Sequence, residues 1–248
     1  MKRYGLIGKS LEHSFSQQYF TRKFSTENIA AEYMLFPMGH IEDFLAIVAA
    51  DQLLFGVNVT FPYKKEIIPF LHALSPIAAQ TGAVNTVKIQ RQAGKLLLEG
   101  YNTDAPAFES EVTEKAGPPS GLALIMGTGG AAAAVGTALQ QLGWEFRMVS
   151  RHKQCPGTIL YSDLSSELLH QTTLIVNATP LGTFPDTGSC PPLPWQWINA
   201  NHFLFDLVYN PPETLFMKRG KEKGARTING LDMLHKQAQL SWEIWNSP

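Results

Sequence analysis

The sequence predicts an α/β protein of two domains, and three observations carry that expectation. Short apolar runs of strand length alternate with helix-length amphipathic segments along the whole chain, the pattern of parallel α/β sheets. A block of turn formers, Gly117-Pro-Pro-Ser-Gly121, interrupts the alternation, and a second series begins after it. At 248 residues the chain has room for two ordinary domains.

In the first series, Tyr4–Gly8 is a short apolar strand ending in glycine. A helix is expected near Ser16–Asn28 and a strand near Glu32–Phe36. His40–Asp51 carries Ile41, Phe44, Leu45 and Val48 at helical spacing. In Gly56-Val-Asn-Val-Thr-Phe-Pro-Tyr-Lys64 alternation puts Asn58 and Thr60 on one strand face and Val57, Val59 and Phe61 on the other. Pro62 suits the first position of a following helix, which Pro69 would end or kink. That helix would hold Lys64 and Lys65 in its first turn, where the dipole disfavours a cation. Val84–Gln90 and Lys95–Glu99 read as a hairpin about Gln92-Ala-Gly94, followed by a helix over Ala105–Lys115.

In the second series Leu122–Met126 is a buried-type strand and Ala131–Leu142 an alanine-rich helix. Strands are expected at Glu145–Ser150, Thr173–Asn177 and Phe203–Val208, and a long amphipathic helix at Leu231–Trp245.

Composition narrows the function. The chain is 44% hydrophobic and 17% charged with a formal net charge of −1, so no basic field invites nucleic acid or an anionic membrane. No apolar run approaches the ~20 residues that span a bilayer, and the N-terminus lacks the apolar region of a signal peptide. Cys155 and Cys190 fit no metal spacing and each adjoins a proline; a reducing cytoplasm is the simpler setting. The seven histidines form no metal-binding motif, so no metal is expected.

The clearest chemical signal is Ile125-Met-Gly-Thr-Gly-Gly-Ala-Ala-Ala133. Gly127 permits a tight turn. Gly129 and Gly130 let backbone approach a pyrophosphate at the helix N-terminus, where free N–H groups and the dipole favour anions. The next strand end carries Ser150-Arg151-His152-Lys153. An NAD site usually has a carboxylate there, roughly 20 residues after the glycines. Its replacement by cations favours the 2′-phosphate of NADP, with Arg151 the expected contact. Asn177-Ala-Thr-Pro-Leu-Gly182 ends the following strand, where Thr179 is placed for the nicotinamide half or for an ordinary turn.

Other polar residues fit two roles each. Ser14 and Ser16 suit helix caps or hydroxyl donors to a carboxylate. Asn85 suits a strand start or a ligand contact, and Asp104 an N-cap or a functional carboxylate.

Their ordered convergence resembles the shikimate dehydrogenase family along essentially the whole length. The matching segments are His13-Ser-Phe-Ser16, Gly56-Val-Asn-Val-Thr-Phe-Pro-Tyr-Lys64, Gly82-Ala-Val-Asn-Thr86, Gly100-Tyr-Asn-Thr-Asp104, Gly127-Thr-Gly-Gly-Ala-Ala132, Ser150-Arg151, Asn177-Ala-Thr-Pro-Leu-Gly182, Asp206-Leu-Val-Tyr-Asn-Pro211 and Asn229-Gly-Leu-Asp-Met-Leu-His-Lys-Gln237. The resemblance implies NADPH-dependent reduction of 3-dehydroshikimate to shikimate by a monomer or homodimer. It implies an N-terminal substrate-binding domain with a mixed sheet (1–103, completed by 230–248) and a Rossmann-like NADP-binding domain (104–229), with substrate in the cleft between them. Lys64 and Asp104 match the catalytic pair. Ser14, Ser16, Thr60, Asn85, Asp104, Tyr209 and Gln237 match substrate contacts. Gly127, Thr128, Gly129, Gly130, Ala131, Ser150, Arg151, Thr179, Leu207 and Gly230 match cofactor contacts. Lys64 would act as general acid, and as base in reverse. Burial and the helix N-terminus would lower its pKa and Asp104 would oppose that. Tyr101, Ala105, His152 and Asp232 depart from the family's usual residues. A quinate/shikimate dehydrogenase using NAD and a catalytically silent nucleotide-binding protein share the scaffold; Arg151 argues against the first, Lys64 with Asp104 against the second.

Overall fold

The computed structural model describes residues 1–12, 14–92, 94–152 and 157–247. His13, Ala93, Lys153 and Cys155, each part of a feature expected from the sequence, lie outside the described residues. Two compact units divide the chain: Met1–Thr103 with His235–Pro248, and Asp104–Leu234.

In the first unit the chain runs β1 (Lys2–Gly8), α1 (Phe15–Thr26), β2 (Ala31–Pro37), α2 (Asp43–Ala50), β3 (Leu54–Val59), β4 (Ala73–Leu74), α3 (Pro76–Thr81), β5 (Thr86–Gln92) and β6 (Lys95–Tyr101). The sheet order is β2-β1-β3-β5-β6-β4. It is mixed: β1 pairs in parallel with β2 and β3, while β5 runs antiparallel to β3 and β6.

The pleat of β3 shows how the two faces are used. Val57 and Val59 enter a core with Phe44 and Val48 of α2. Gly56 and Asn58 point to the opposite face, where Tyr4, Phe20, Phe24 and Tyr33 pack with Trp245. Trp245 belongs to α8 (Leu231–Asn246), within which the divide between units falls. Side-chain alternation thus puts apolar residues against α2 and a glycine and an amide against α8.

The segment after β3 is not the expected helix. Residues 61–67 run as successive turns, with a cis Phe61–Pro62 peptide, before a single 3₁₀ turn at Ile68–Phe70 that contains Pro69. Tertiary bonds outcompete helix formation here. The Lys64 carbonyl accepts from the Val84 N–H at 2.7 Å, and the buried Tyr63 donates its phenolic proton to the Met38 carbonyl at 2.7 Å. Lys64 and Lys65 therefore occupy no helical first turn, and no helix dipole opposes them. Phe61, past the strand end, is 79% exposed rather than part of the Val57–Val59 face.

The second unit runs α4 (Asp104–Ala116), β7 (Leu122–Met126), α5 (Gly130–Gln141), β8 (Glu145–Ser150), β9 (Thr158–Leu160), α6 (Ser166–Gln171), β10 (Thr172–Asn177), β11 (Phe203–Asp206), α7 (Leu215–Glu222) and β12 (Arg226–Ile228). Its sheet, ordered β12-β11-β10-β7-β8-β9, is parallel throughout. Leu124, Ile175 and Leu204 face a core with Leu169 of α6 and Phe216 of α7. On the other face Phe108 of α4 lies 5.0 Å from Phe205, ring to ring. Covered on both faces, the central strands are apolar throughout, as buried parallel strands are. The order reverses between β7 and β10, the switch point outside which such sheets bind ligands. No helix among the described residues is long and apolar enough to cross a membrane.

Candidate functional site

In the first unit three of the candidate polar residues, Ser16, Asn85 and Gln237, meet in a buried network at the α8 face of the sheet. Asn58 is its centre. Its side-chain oxygen accepts from the Tyr33 phenol at 2.8 Å, and its amide donates to Ser241 at 2.9 Å and Thr86 at 3.2 Å. Asn85 bonds Thr103 twice, donating to its hydroxyl at 2.9 Å and accepting its N–H at 2.8 Å. The Thr103 hydroxyl reaches the Gln237 side-chain oxygen at 3.5 Å, and the Ser241 hydroxyl donates to the Gln237 carbonyl at 2.9 Å. Ser16 joins through a bond to the Tyr33 phenol, whose pKa burial pushes far up. Asn85, Gln237 and Ser16 come from three separate segments and are tied together by residues that motif reading passed over: Tyr33, Thr86, Thr103 and Ser241. Thr86 and Thr103 lie inside quoted motifs, and Ser241 follows Gln237 by four residues on one helix face.

Ser14 sits apart from this network as the N-cap of α1, accepting from the Gln17 N–H at 3.5 Å. Thr60 directly follows β3, its N–H bonded to the Ile7 carbonyl at 3.0 Å. A Cβ at Gly8 would stand 2.5 Å from the Thr60 methyl, so Gly8 is what lets Thr60 lie there. Lys64 is half-buried, while Lys65 and Glu66 beside it are exposed. Tyr101 is half-buried on β6, its phenol pushed up by burial and by neighbouring Glu99.

In the second unit, Asp104 is buried and is itself the first residue of α4 rather than its N-cap, one position before the expected start at Ala105. The glycine loop follows β7. Gly127 has φ +114, a backbone that L side chains rarely adopt, and its N–H is held by the Val149 carbonyl at 2.8 Å. Gly129 is the N-cap of α5, with no side-chain cap bond and no acidic residue in the first turn. A Cβ at Gly129 would meet nothing within 4 Å. The first N–H groups of a 12-residue helix thus open onto space that a side chain would fill, with Thr128 and Ala131 flanking. That is the cradle a pyrophosphate needs. Ser150 closes β8, and its hydroxyl accepts from the His152 N–H at 3.4 Å. Arg151 is exposed and close enough to Tyr161 to pull its burial-raised pKa down. An exposed guanidinium at the end of β8, without a carboxylate beside it in sequence, fits a 2′-phosphate.

The ends of β10 and β11 are joined by a second buried hub that sequence reasoning missed. One Asp206 oxygen accepts from the Asn177 amide at 2.8 Å and the Val208 N–H at 3.0 Å, and the other accepts from the Thr214 hydroxyl at 2.5 Å. Asn177 in turn accepts from the Thr179 hydroxyl at 2.6 Å and its N–H at 3.1 Å. The Leu207 N–H bonds the Asn177 carbonyl at 3.0 Å. A Cβ at Gly230 would stand 2.3 Å from the Leu207 carbonyl oxygen, so that position requires glycine. Tyr209, half-buried, has its phenol raised by burial. Asp206 and Asn177 each open a quoted segment, and the further signal was an acid closing the apolar run Phe203-Leu-Phe-Asp206.

Burial pushes the Asp206 carboxyl up to about 6, against the opposing pull of Thr214, Val208 and Asn177. Folding therefore favours its protonated form. In the unfolded chain this proton leaves near pH ~4, so Asp206 contributes most to stability below that pH. The contribution falls as pH rises towards 6 and is constant above it. Asp206→Asn should flatten this slope. Between pH 4 and pH 7 the stability difference should move in the variant's favour by about 2–3 kcal/mol, read from urea unfolding at each pH. Parallel curves for the two proteins would show that Asp206 titrates normally.

A family model described as the shikimate dehydrogenase substrate binding domain matches residues 6–87. A shikimate dehydrogenase (NADP(+)) of Desulforamulus reducens is 35% identical, over 97% of this chain and 88% of its own length. Among solved structures, shikimate dehydrogenase 1 of Peptoclostridium difficile superposes with a TM-score of 0.85 at 36% identity, covering 99% of this chain and 91% of the other. Shikimate 5-dehydrogenase of Thermus thermophilus, in complex with NADP(H) and shikimate, does so with a TM-score of 0.85 at 31% identity, covering 99% and 94%.

Proposed function

The chain belongs to the shikimate dehydrogenase family, and we propose that its two polar sites are the substrate and cofactor halves of one reaction. It is an NADP-dependent oxidoreductase that reversibly reduces 3-dehydroshikimate to shikimate. The observation that carries this is full-length likeness: relatives of that activity match over 97% of the chain and nearly nine-tenths of their own length.

When bound, NADPH supplies the hydride; the protein supplies orientation and the proton. Residues 1–103 with 230–248 are the substrate-binding part in this reading, and 104–229 the NADP-binding part. Ser14 and Ser16 donate hydroxyls to the substrate carboxylate, with Tyr209 also directed to it. Thr60, Asn85 and Gln237 bind ring hydroxyls. The buried Thr86 and Thr103 support this assignment, because their bonds to the Asn85 amide and, from Thr103, to the Gln237 side-chain oxygen limit the rotamers of both residues. Lys64 delivers the proton to the developing alkoxide, and Asp104 orients the lysine and a substrate hydroxyl. Gly127, Thr128, Gly129, Gly130 and Ala131 cradle the pyrophosphate, Ser150 and Arg151 take the 2′-phosphate, and Thr179, Leu207 and Gly230 border the nicotinamide half.

The test is an assay of purified protein with shikimate and quinate, each with NADP and NAD. The shikimate–NADP pair should give the highest kcat/KM; dominant quinate–NAD turnover would overturn the reading. In the same assay Arg151→Ala should raise the KM for NADP by about 10- to 100-fold, the range for one charged hydrogen-bonding partner. It should leave the KM for NAD unchanged. Equal losses with both cofactors would remove Arg151 from the 2′-phosphate.

A further inference from the structure

The Asp206 hub is costly, and what it holds says why it is there. Asp206, Asn177 and Thr214 are all fully buried, and sequestering a carboxylate works against folding unless its bonds compensate. The groups it restrains belong to loop residues at the strand ends. Through Asn177 it fixes the turn at Thr179–Leu181. Through Val208 it fixes the segment whose carbonyl accepts the Gly230 N–H at 3.3 Å. Through Thr214 it meets the start of α7, since the Thr214 hydroxyl also accepts the Met217 N–H at 3.2 Å. Thr179, Leu207 and Gly230 are thus linked to one side chain. Ser150 and Arg151 lie at and just past the end of β8, and the N-terminus of α5 follows the loop after β7, outside these bonds.

Building on the reading above, we propose that Asp206 is a positioning residue for the nicotinamide half of NADP(H), acting through Asn177 and Val208 on Thr179, Leu207 and Gly230. It touches neither cofactor nor substrate. Its removal leaves the Asn177 amide, the Val208 N–H and the Thr214 hydroxyl without their acceptor, and the loops that use them lose their fixed geometry. The adenosine half keeps its own supports.

The consequence is a split between two ligands. NADPH engages both halves of the site, whereas 2′,5′-ADP engages only the adenosine half. By calorimetric titration Asp206→Ala should weaken NADPH binding about tenfold or more, while 2′,5′-ADP stays within about twofold of wild type. Asp206→Asn keeps one oxygen for the Asn177 and Val208 donors, and should recover NADPH binding to within about threefold. A general loosening of the unit would weaken both ligands together and would overturn the proposal, as would unchanged NADPH binding in Asp206→Ala. If Asp206→Ala does not fold, Thr214→Val carries the same split at smaller size, with Thr214→Ser as its rescue. Failure of the proposed cofactor site is separately visible: wild-type protein would then bind neither NADPH nor 2′,5′-ADP.

Discussion

Lys64→Ala should lower kcat by at least ~100-fold, the lower end of what a positioned general acid contributes. The KM for shikimate should stay within a few-fold, because a group that acts on the transition state carries little ground-state binding. The structure makes this a test of one residue. Lys64 is half-buried and its backbone is held by the Val84 N–H, immediately before Asn85. Lys65 is exposed, so Lys65→Ala should turn over near normally and serve as the control for charge alone. Lys64→Arg should not rescue, since a guanidinium keeps its charge at any working pH and cannot give up a proton. Near-normal kcat in Lys64→Ala, or an equal loss in Lys65→Ala, would take the proton transfer away from this lysine. The turn geometry of residues 61–67 also changes the physical account of Lys64. Without a helix N-terminus beneath it, its environment depends on burial and neighbouring groups rather than on a dipole.

Much of the fold was legible because its strands are long enough to show their pattern. Leu122–Met126 and Glu145–Ser150 coincide with β7 and β8, and the glycine loop lies between a strand and a helix as the sequence implies. The shortest strands and three of the short helices were not legible. β4, β9 and β12 have two or three residues each, and α3, α6 and α7 six to eight, too few for a period to stand out. The segment at Pro62 was misread for a different reason. Its local signal does suit a helix start, and the bonds that override it come from Val84 and Met38, which local sequence does not place nearby.

The candidate residues separate in the same way. Motifs identified side chains with chemistry at strand ends, and could not say what holds them. Asn58 illustrates this: one face of a strand was readable, but its partners Tyr33, Thr86 and Ser241 come from β2, β5 and α8. Ser14 does what its sequence context most simply suggests and caps a helix, which leaves a carboxylate role to be tested on it. Asp206 was read as one letter of a motif. Its significance appears only when β10 and β11 lie side by side, with Asn177 opposite Asp206 in register.

Trp245→Ala should cost about 3–5 kcal/mol, the range for truncating a buried tryptophan. Trp245 is 5% exposed; its ring stacks on Tyr4 with centroids 4.8 Å apart and lies 5.3 Å from Phe20. Its indole N–H donates to the Val87 carbonyl at 3.0 Å, so the variant also leaves a buried strand carbonyl without that donor. Gly56 is the complementary feature, since a Cβ there would stand 2.2 Å from the indole nitrogen. The loss should appear as a fall in Tm on the order of 10 °C by circular dichroism. Gly56→Ala should destabilise the wild-type background through the clash, and much less the Trp245→Ala background, where the ring is gone. The two substitutions must therefore be strongly non-additive. A Tm within about 2 °C of wild type for Trp245→Ala, or strictly additive losses, would mean that α8 is held to the sheet by its polar bonds. In that case Asn58–Ser241 and Lys88–Ser247, rather than the aromatic cluster, would anchor the helix that carries Gln237.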